Sequence, residues 1–404
     1  GKSANASFTL TKDNTAPGGG SINYANGVRN TTSVTITLAP GSDAQAGLNT
    51  QTLERAVATY ANGACGAYGA FGTLATSPGT SYNDSTLASG SCYMYRFTVT
   101  DNVDNSVTYT SASVVKVDTA APTGTISANP AGPVSGSQII SGTSEDLISG
   151  VQKVDVHYSG PQSGDICLAP PTPLTWSCTW DTTARQDGLY TITLDVTDIA
   201  GNLAAGAATR TILVDNTPPT TSFNSFVEVS GNNYIYAPGS GSTMYYNPVG
   251  TGSFEVLINA SDLGAGVNRV DFPAPGANWT PTVTSSDTTP PSPYRYTYSF
   301  TTPSGASPGL LNATTYDNAG KSANASFTLT KDNTAPGGGS INYANGVRNT
   351  TSVTITLAPG SDAQAGLNTQ TLERAIATYA NGACGAYGAF GTLDRKSTRL
   401  NSSH

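Results

Sequence analysis

Asp187-Gly188-Leu189-Tyr190-Thr191-Ile192-Thr193-Leu194-Asp195-Val196-Thr197-Asp198-Ile199-Ala200-Gly201-Asn202 reads as one strand and the turn that ends it. Tyr190, Ile192, Leu194 and Val196 take every second position, and Thr191, Thr193, Asp195 and Thr197 fill the places between. A period of two sends one set to a core and the other to water, as in an antiparallel sheet with one wet face. The Asp198 to Asn202 stretch is turn chemistry, because Asp and Asn bond backbone close by and Gly and Asn accept positive φ. The same pairing of strand and turn returns on both sides. Tyr93, Tyr95, Phe97 and Val99 alternate and run into Asp101-Asn102-Val103-Asp104-Asn105, where Asp104 stands in the glycine's place and leaves the turn type open. Gly309 to Thr315 alternates more weakly and runs into Asp317-Asn318-Ala319-Gly320-Lys321.

Coarser punctuation frames these hairpins. An Asp followed four residues later by Pro occurs at Asp13, Asp118, Asp215 and Asp332, with intervals of 105, 97 and 117 residues. Each interval has the size of one sandwich domain, long enough to bury about 65% of its unfolded surface, and a Pro after a strand marks a join. A longer repeat contains them: Gly1 to Leu74 recurs as Gly320 to Leu393, with Val57 replaced by Ile376 as the single change. The expected organisation is a terminal strand and linker over 1–17, domains over 18–122, 123–219 and 220–336, and a truncated copy of the first domain over 337–393. The last eleven residues, 394–404, resemble the translation of a sequencing-library adapter and are expected to pack on nothing.

Composition narrows the function. Of 404 residues 44 are Gly and 24 Pro while only 11% are charged, which fits short strands with many turns and disfavours coiled coils, helical bundles and charge-driven disorder. No apolar run approaches the roughly 18 residues of a membrane helix. A net charge of -8 leaves no basic surplus to displace counterions, so nucleic acid is not an expected partner. With two His, His157 and His404, histidine-rich zinc sites and multi-histidine catalysis are nearly excluded. His157 alternates with Val154, Val156 and Tyr158 and reads as a sheet residue rather than a triad member. Gly18-Gly19-Gly20 precedes no helix pattern and is no phosphate cradle.

Trp180-Asp181-Thr182-Thr183, Asp187 to Ile192, Thr197 to Asn202 and Val214-Asp215-Asn216-Thr217-Pro218-Pro219 together resemble bacterial immunoglobulin-like repeat domains. The resemblance is strongest over 123–219. It implies an all-β fold of tandem immunoglobulin-like β-sandwich domains in a linear array, extracellular or at the cell surface, without catalytic residues. The function it implies is a structural or adhesive stalk, monomeric, meeting an unknown surface ligand or glycan. A carbohydrate-binding accessory region of a large secreted hydrolase is the other reading, with Trp279, or the alternating Trp176 and Trp180, as an aromatic platform; the competing and favoured reading of all three Trp is core packing. Asp187-Gly188-Leu189-Tyr190 also resembles a tyrosine corner, which would bond the phenol back to backbone.

The cysteines divide by domain. Cys65 and Cys92 share the first, Cys167 and Cys178 the second, and Cys384 is the copy of Cys65. Two disulfides are expected, each worth about 3 kcal/mol by loop-closure entropy, in an oxidising compartment; buried thiols are the alternative. No cofactor is required, but calcium suits the carboxylates that an immunoglobulin-like sandwich collects at one end. These would be Asp118 with Glu145, Asp146 and Asp198 at one join, and Asp215 with Asp262 and Asp317 at the next. The competing reading is that each Asp caps its own turn.

Overall fold

The computed structural model describes residues 1–169, 175–231, 233–302 and 305–397. Among these there is no helix, and therefore none long and apolar enough to cross a membrane. The chain divides after Asn216 into two compact units.

The first unit holds two sandwiches. In the first, Ser21–Tyr24, Val34–Ala39 and Ser81–Asp84 form one sheet, and the long strands Leu48–Ala61 and Ser91–Asp101 are the spine of the other. Tyr95, Phe97 and Val99 from that spine meet Ile22, Ile36 and Leu38 from the facing sheet in one core. In the second, Thr123–Ile126, Ser137–Glu145 and Thr175–Asp181 face a sheet of Gly164–Ala169, Val151–Ser159, Gly188–Asp198 and Leu203–Val214. The period of two survives folding: Tyr190, Ile192, Leu194 and Val196 are fully buried. Trp176, Cys178 and Trp180 fill the core from the opposite sheet, and Trp180 lies between Tyr158 and Tyr190 with ring centroids 5.6 Å from each. The Tyr190 phenol donates to the Gln186 carbonyl at 3.0 Å, the bond a tyrosine corner requires.

The second unit begins with the third sandwich. Thr220–Ser230, Thr251–Ser261, Tyr294–Thr301 and Trp279–Thr280 face a sheet whose middle is Ser322–Lys331, Gly309–Asp317 and Val267–Phe272. The weakly alternating strand buries Ala313 and Thr315, and the Thr315 hydroxyl donates to Thr221 at 2.9 Å, so the inward hydroxyl is satisfied. Leu310, the larger residue, points to water.

Each sandwich also joins an early segment to its last strand in parallel. Gly27–Arg29 pairs with Val115–Val117, Thr243–Tyr246 pairs with Thr328–Lys331, and in the second sandwich a single bridge links Val134 to Val214.

Identical sequences with different neighbours take different structures here. Ser322–Lys331 is a strand with Phe327 and Leu329 fully buried, whereas in residues 1–12, of the same sequence, Phe8 and Leu10 are about nine-tenths exposed and no strand forms. The copy at 337–393 lacks the partners that complete the first sandwich. Val34–Ala39 shortens there to Ile355–Ala358, and Leu48–Ala61 breaks into Thr369–Arg374 and Tyr379–Ala380. The counterpart of Gly27–Arg29 is not a strand at all, because its partner was Val115–Val117. Pairing, not propensity, decides where these residues are β.

The C-terminal residues depart from expectation. Gly391–Ser397 is a strand that repeats the register of Gly72–Thr76, with Asp394 opposite Leu372 and Arg395 opposite Thr371, where Ala75 and Thr76 stand opposite Leu53 and Thr52. A ladder is built from main chain, so residues 394–397 extend it whatever their side chains. Residues 398–404, His404 included, lie outside the described residues.

Candidate metal centre at the sandwich joins

Asp118 is the first residue beyond Val115–Val117, and its N–H donates to the Arg29 carbonyl at 2.9 Å. Its Oδ1 accepts the Ala120 N–H at 3.0 Å, and its Oδ2 reaches forward to the Ser149 N–H at 3.1 Å. Asp146 follows the strand Ser137–Glu145 and gathers the loop around itself, its Oδ1 accepting from Ile148, Ser149 and Gly150 at 3.0, 2.8 and 2.8 Å. Asp198 ends its strand, accepting the Asn202 N–H at 2.8 Å and the Asn202 Nδ2 at 2.7 Å. The same Nδ2 donates to the Asp118 carbonyl at 2.9 Å, and Ile199 N–H donates to Gly150 O at 2.9 Å. Linker, loop and hairpin turn are thus tied together, and one carboxylate oxygen from each of Asp118, Asp146 and Asp198 lies within 4.8 Å of the others.

Asp118 and Asp198 are buried and Asp146 is half-buried. Among the described residues no Lys or Arg pairs with any of the three. Burial pushes the Asp198 carboxyl above its ordinary value against the Asn202 bonds, and the negative charges of Asp118 and Asp146 add to the rise. Tyr60, from the first sandwich, is raised by burial and then by the same three carboxylates.

The arrangement recurs. Asp13, Asp43 and Asp101 form an equivalent trio. Asp13 Oδ2 accepts the Ala46 N–H at 3.1 Å, Asp43 caps Gln45, Ala46 and Gly47, and Asn105 Nδ2 donates to Asp101 at 2.8 Å. Asp332 and Asp362 repeat two members in the copy, with the Ala365 N–H donating to Asp332 Oδ2 at 3.0 Å. In the second unit Asp262 and Asp317 bring carboxylate oxygens within 4.8 Å of one another. Asp215, expected as their third member, is buried at the end of the first unit, where its N–H donates to Val134 O at 3.0 Å.

Glu145 is a correction: it is exposed on the strand beside Thr123 and does not join Asp118, Asp146 and Asp198. Successive residues of a strand point to opposite faces, and the buried Ser144 takes the inward place. The Asp13, Asp43 and Asp101 trio was missed. Its signal is present in the same phrases, Asp13 before Pro17, Ser42-Asp43 before Gly47, and Asp101 before Asn105, but the sequence places Asp13 in a linker with no sandwich before it.

Three carboxylates and neighbouring carbonyls are hard oxygen donors without nitrogen or sulfur, the ligand set of calcium; Asp146 Oδ1 is saturated by three N–H bonds, but Asp118 Oδ2 and Asp198 Oδ2 each accept one bond and keep lone-pair capacity. The turn-capping role and the ligand role are therefore compatible.

The other candidates resolve as structure. Cys65 bonds Cys92 and Cys167 bonds Cys178, while Cys384 is a free, exposed thiol. Trp279 is buried against Tyr246 and Phe300, so no Trp is at the surface. His157 sits on the wet face of its sheet, Nδ1 at 3.0 Å from Asp165 and Nε2 at 3.1 Å from Asp195, with no nucleophile in the arrangement.

Residues 174–237 match the bacterial Ig-like domain family, group 3, over the late strands of the second sandwich and the start of the third. No curated protein matches the chain. Solved structures similar to it include fibronectin(III)-like modules of Clostridium thermocellum CbhA, at 17% identity over 52% of this chain and 94% of that one, TM-score 0.29. Others are a tetra-tandem repeat in the extending region of a large adhesion protein, at 16% identity over 93% and 100%, TM-score 0.29, and the chicken CNTN1 FN1–FN3 domains, at 12% identity over 77% and 98%, TM-score 0.27.

Proposed function

We propose that this chain is a non-catalytic spacer of tandem Ig-like modules, about 18–122, 123–219, 220–336 and a partial 337–393, in a bacterial surface or secreted protein, with calcium stiffening its joins. The observation that carries the reading is the join between the first and second modules. There the hairpin tip of one module is built into the other: Asn62 and Gly63 N–H donate to the Leu147 and Ile148 carbonyls at 2.9 and 2.8 Å, and Ile148 packs against the small cluster of Tyr60, Ala58 and Cys92. A join held this way transmits orientation, which a spacer requires and an isolated binding module does not. The carboxylate trio beside it recurs with the modules, as a structural element does and a catalytic centre seldom does. Two disulfides fit an oxidising, extracellular setting. The carbohydrate-binding alternative has no surface Trp to rest on, and nothing else favours it.

Calcium would be held by Asp118, Asp146 and Asp198, and by Asp13, Asp43 and Asp101, neutralising carboxylates that otherwise repel. At ten times its dissociation constant a single site adds about 1.4 kcal/mol. Hydrogen exchange at Ile148 to Gly150 and at Gln45 to Gly47 should slow in millimolar calcium relative to chelator, and Asp118→Ala should remove the effect at the first of these only. Equal exchange with and without calcium, in a folded chain, would leave the carboxylates as turn caps.

A further inference from the structure

Along Ser91–Asp101 the period of two sends Tyr93, Tyr95, Phe97 and Val99 into the core of the first module, which puts Cys92 on the opposite, outer face of its sheet. Cys92 is nevertheless 0% exposed. Ala58, its partner across the strand pair, and Tyr60 share that face and are buried with it. What covers them is the end of the hairpin that Leu48–Ala61 makes with Ala64–Cys65. The return arm pairs only at Tyr60 with Cys65 and at Ala61 with Ala64, and the tip between them, Asn62 and Gly63, donates its two N–H groups to the second module. In the sheet order Cys65 lies two strands from Cys92, a separation of about 9.5 Å in an extended sheet, yet their Cα atoms are 5.9 Å apart. The hairpin end therefore curls back over the outer face, and the Cys65–Cys92 bond closes the curl. Ile148 of the second module packs on the cluster so formed.

Resting on the reading of that join as one that transmits orientation, and not on calcium, we propose that the Cys65–Cys92 disulfide is a redox lock on the coupling of the first two modules. Oxidised, the bond holds the curl, and with it the two N–H donors and the seat of Ile148. Reduced, the return arm keeps two paired positions and no cross-link, so the hairpin end relaxes toward the plane of its sheet and draws the tip off the Leu147 and Ile148 carbonyls. The main core of the first module is a separate set of side chains that includes neither cysteine. Both modules therefore stay folded while their relative orientation is freed. The reductant is an external thiol of the glutathione class. Its thiolate attacks Cys65, which is half-buried where Cys92 is inaccessible, and the Cys92 thiolate leaves and takes a proton. A second glutathione resolves the mixed disulfide, so two glutathione thiols become glutathione disulfide as the two cysteines gain two electrons and two protons.

Residual dipolar couplings of the full chain test the lock. In the oxidised wild type one alignment should fit both modules. In a chain carrying Cys65→Ala and Cys92→Ala each module should still fit its own fold, and the common alignment should be lost. A common alignment that survives without the bond would overturn the proposal, and so would a first module that loses its own fold, since the bond would then be a strut of the sandwich. Separate alignments already present in the oxidised wild type would overturn the orientation-transmitting join as well. Linkage supplies a second readout, because a bond that holds the dock is held by the dock in equal measure. Ile148→Ser, a change in the second module, should therefore shift the Cys65–Cys92 equilibrium with glutathione toward the thiols by about fivefold or more, the lower end of coupling between sites. Mass mapping of trapped thiols reads that equilibrium, and an unchanged ratio would overturn the lock.

Discussion

Asp101 and Asp198 occupy the same place in successive modules and titrate in opposite directions. Burial raises both, but at Asp101 the donors from Asn105 and Val103 outweigh it and hold the carboxyl low, while at Asp198 the charges of Asp118 and Asp146 add to burial and the net shift is upward. A raised carboxyl favours the protonated fold, so this contribution to stability is present below about pH 3.9 and is lost as pH rises through the folded value. A cation at the trio would cancel that loss. His157 shows the complementary case. Its bond to Asp165 raises it first, against burial, and Asp195 adds to the rise; Asp155 on the same face is engaged by Lys153 at 2.8 Å. The His157 contribution is present below about pH 6.5 and is lost as pH rises through the folded pKa; for such exposed pairs it is worth about 0.2–1 kcal/mol. The denaturation midpoint of the second module should therefore drop more between pH 6 and 8 in the wild type than in His157→Gln. Asp104 belongs to this scale too. It holds φ 69° where Gly201 and Gly320 hold 90° and 86°, so the turn is the same and Asp bears the left-handed strain. Asp104→Gly should stabilise the first module by about 0.5–1 kcal/mol, measured by chemical denaturation.

At the level of the strand, the chain carries its own control. Phe327→Ala removes a fully buried ring and should cost the third module about 3–5 kcal/mol, while Phe8→Ala, the same substitution in the same twelve-residue sequence, should change stability by less than about 0.5 kcal/mol. Calorimetry of the two variants checks the contrast. It also marks what was legible in the sequence. The alternation from Tyr190 to Val196 predicts both the strand and its buried face, and Asp198 to Asn202 predicts the turn, because both depend on residues within one hairpin. Whether Ser3 to Lys12 forms a strand depends on a partner elsewhere, and no local pattern contains that information. The candidate site divides in the same way. The recurring Asp phrases point to Asp118, Asp146 and Asp198 because each caps a local turn. Glu145 falls outside the group because the point where Ser137–Glu145 ends, which separates an outward Glu from an inward Asp, is set by the pairing with Thr123.

For the molecule as a whole, the proposed spacer role implies tension along the chain. The parallel joining of early segment to last strand then becomes the mechanical clasp of each module, since hydrogen bonds lying across the direction of pull must break together. The clasp has four paired positions in the third module, three in the first and a single bridge in the second. Under a slowly rising load the second module should yield at the lowest force and the third at the highest, rupture being governed by the unfolding rate. Disulfides would then set how far each yielded module can lengthen. The Cys65–Cys92 bond withholds 27 residues and Cys167–Cys178 withholds 11, about 100 Å and about 40 Å of contour. Single-molecule extension before and after reduction should recover those two increments, leaving the third module's step unchanged. The array would behave as a graded shock absorber whose travel is set by the redox state of its surroundings.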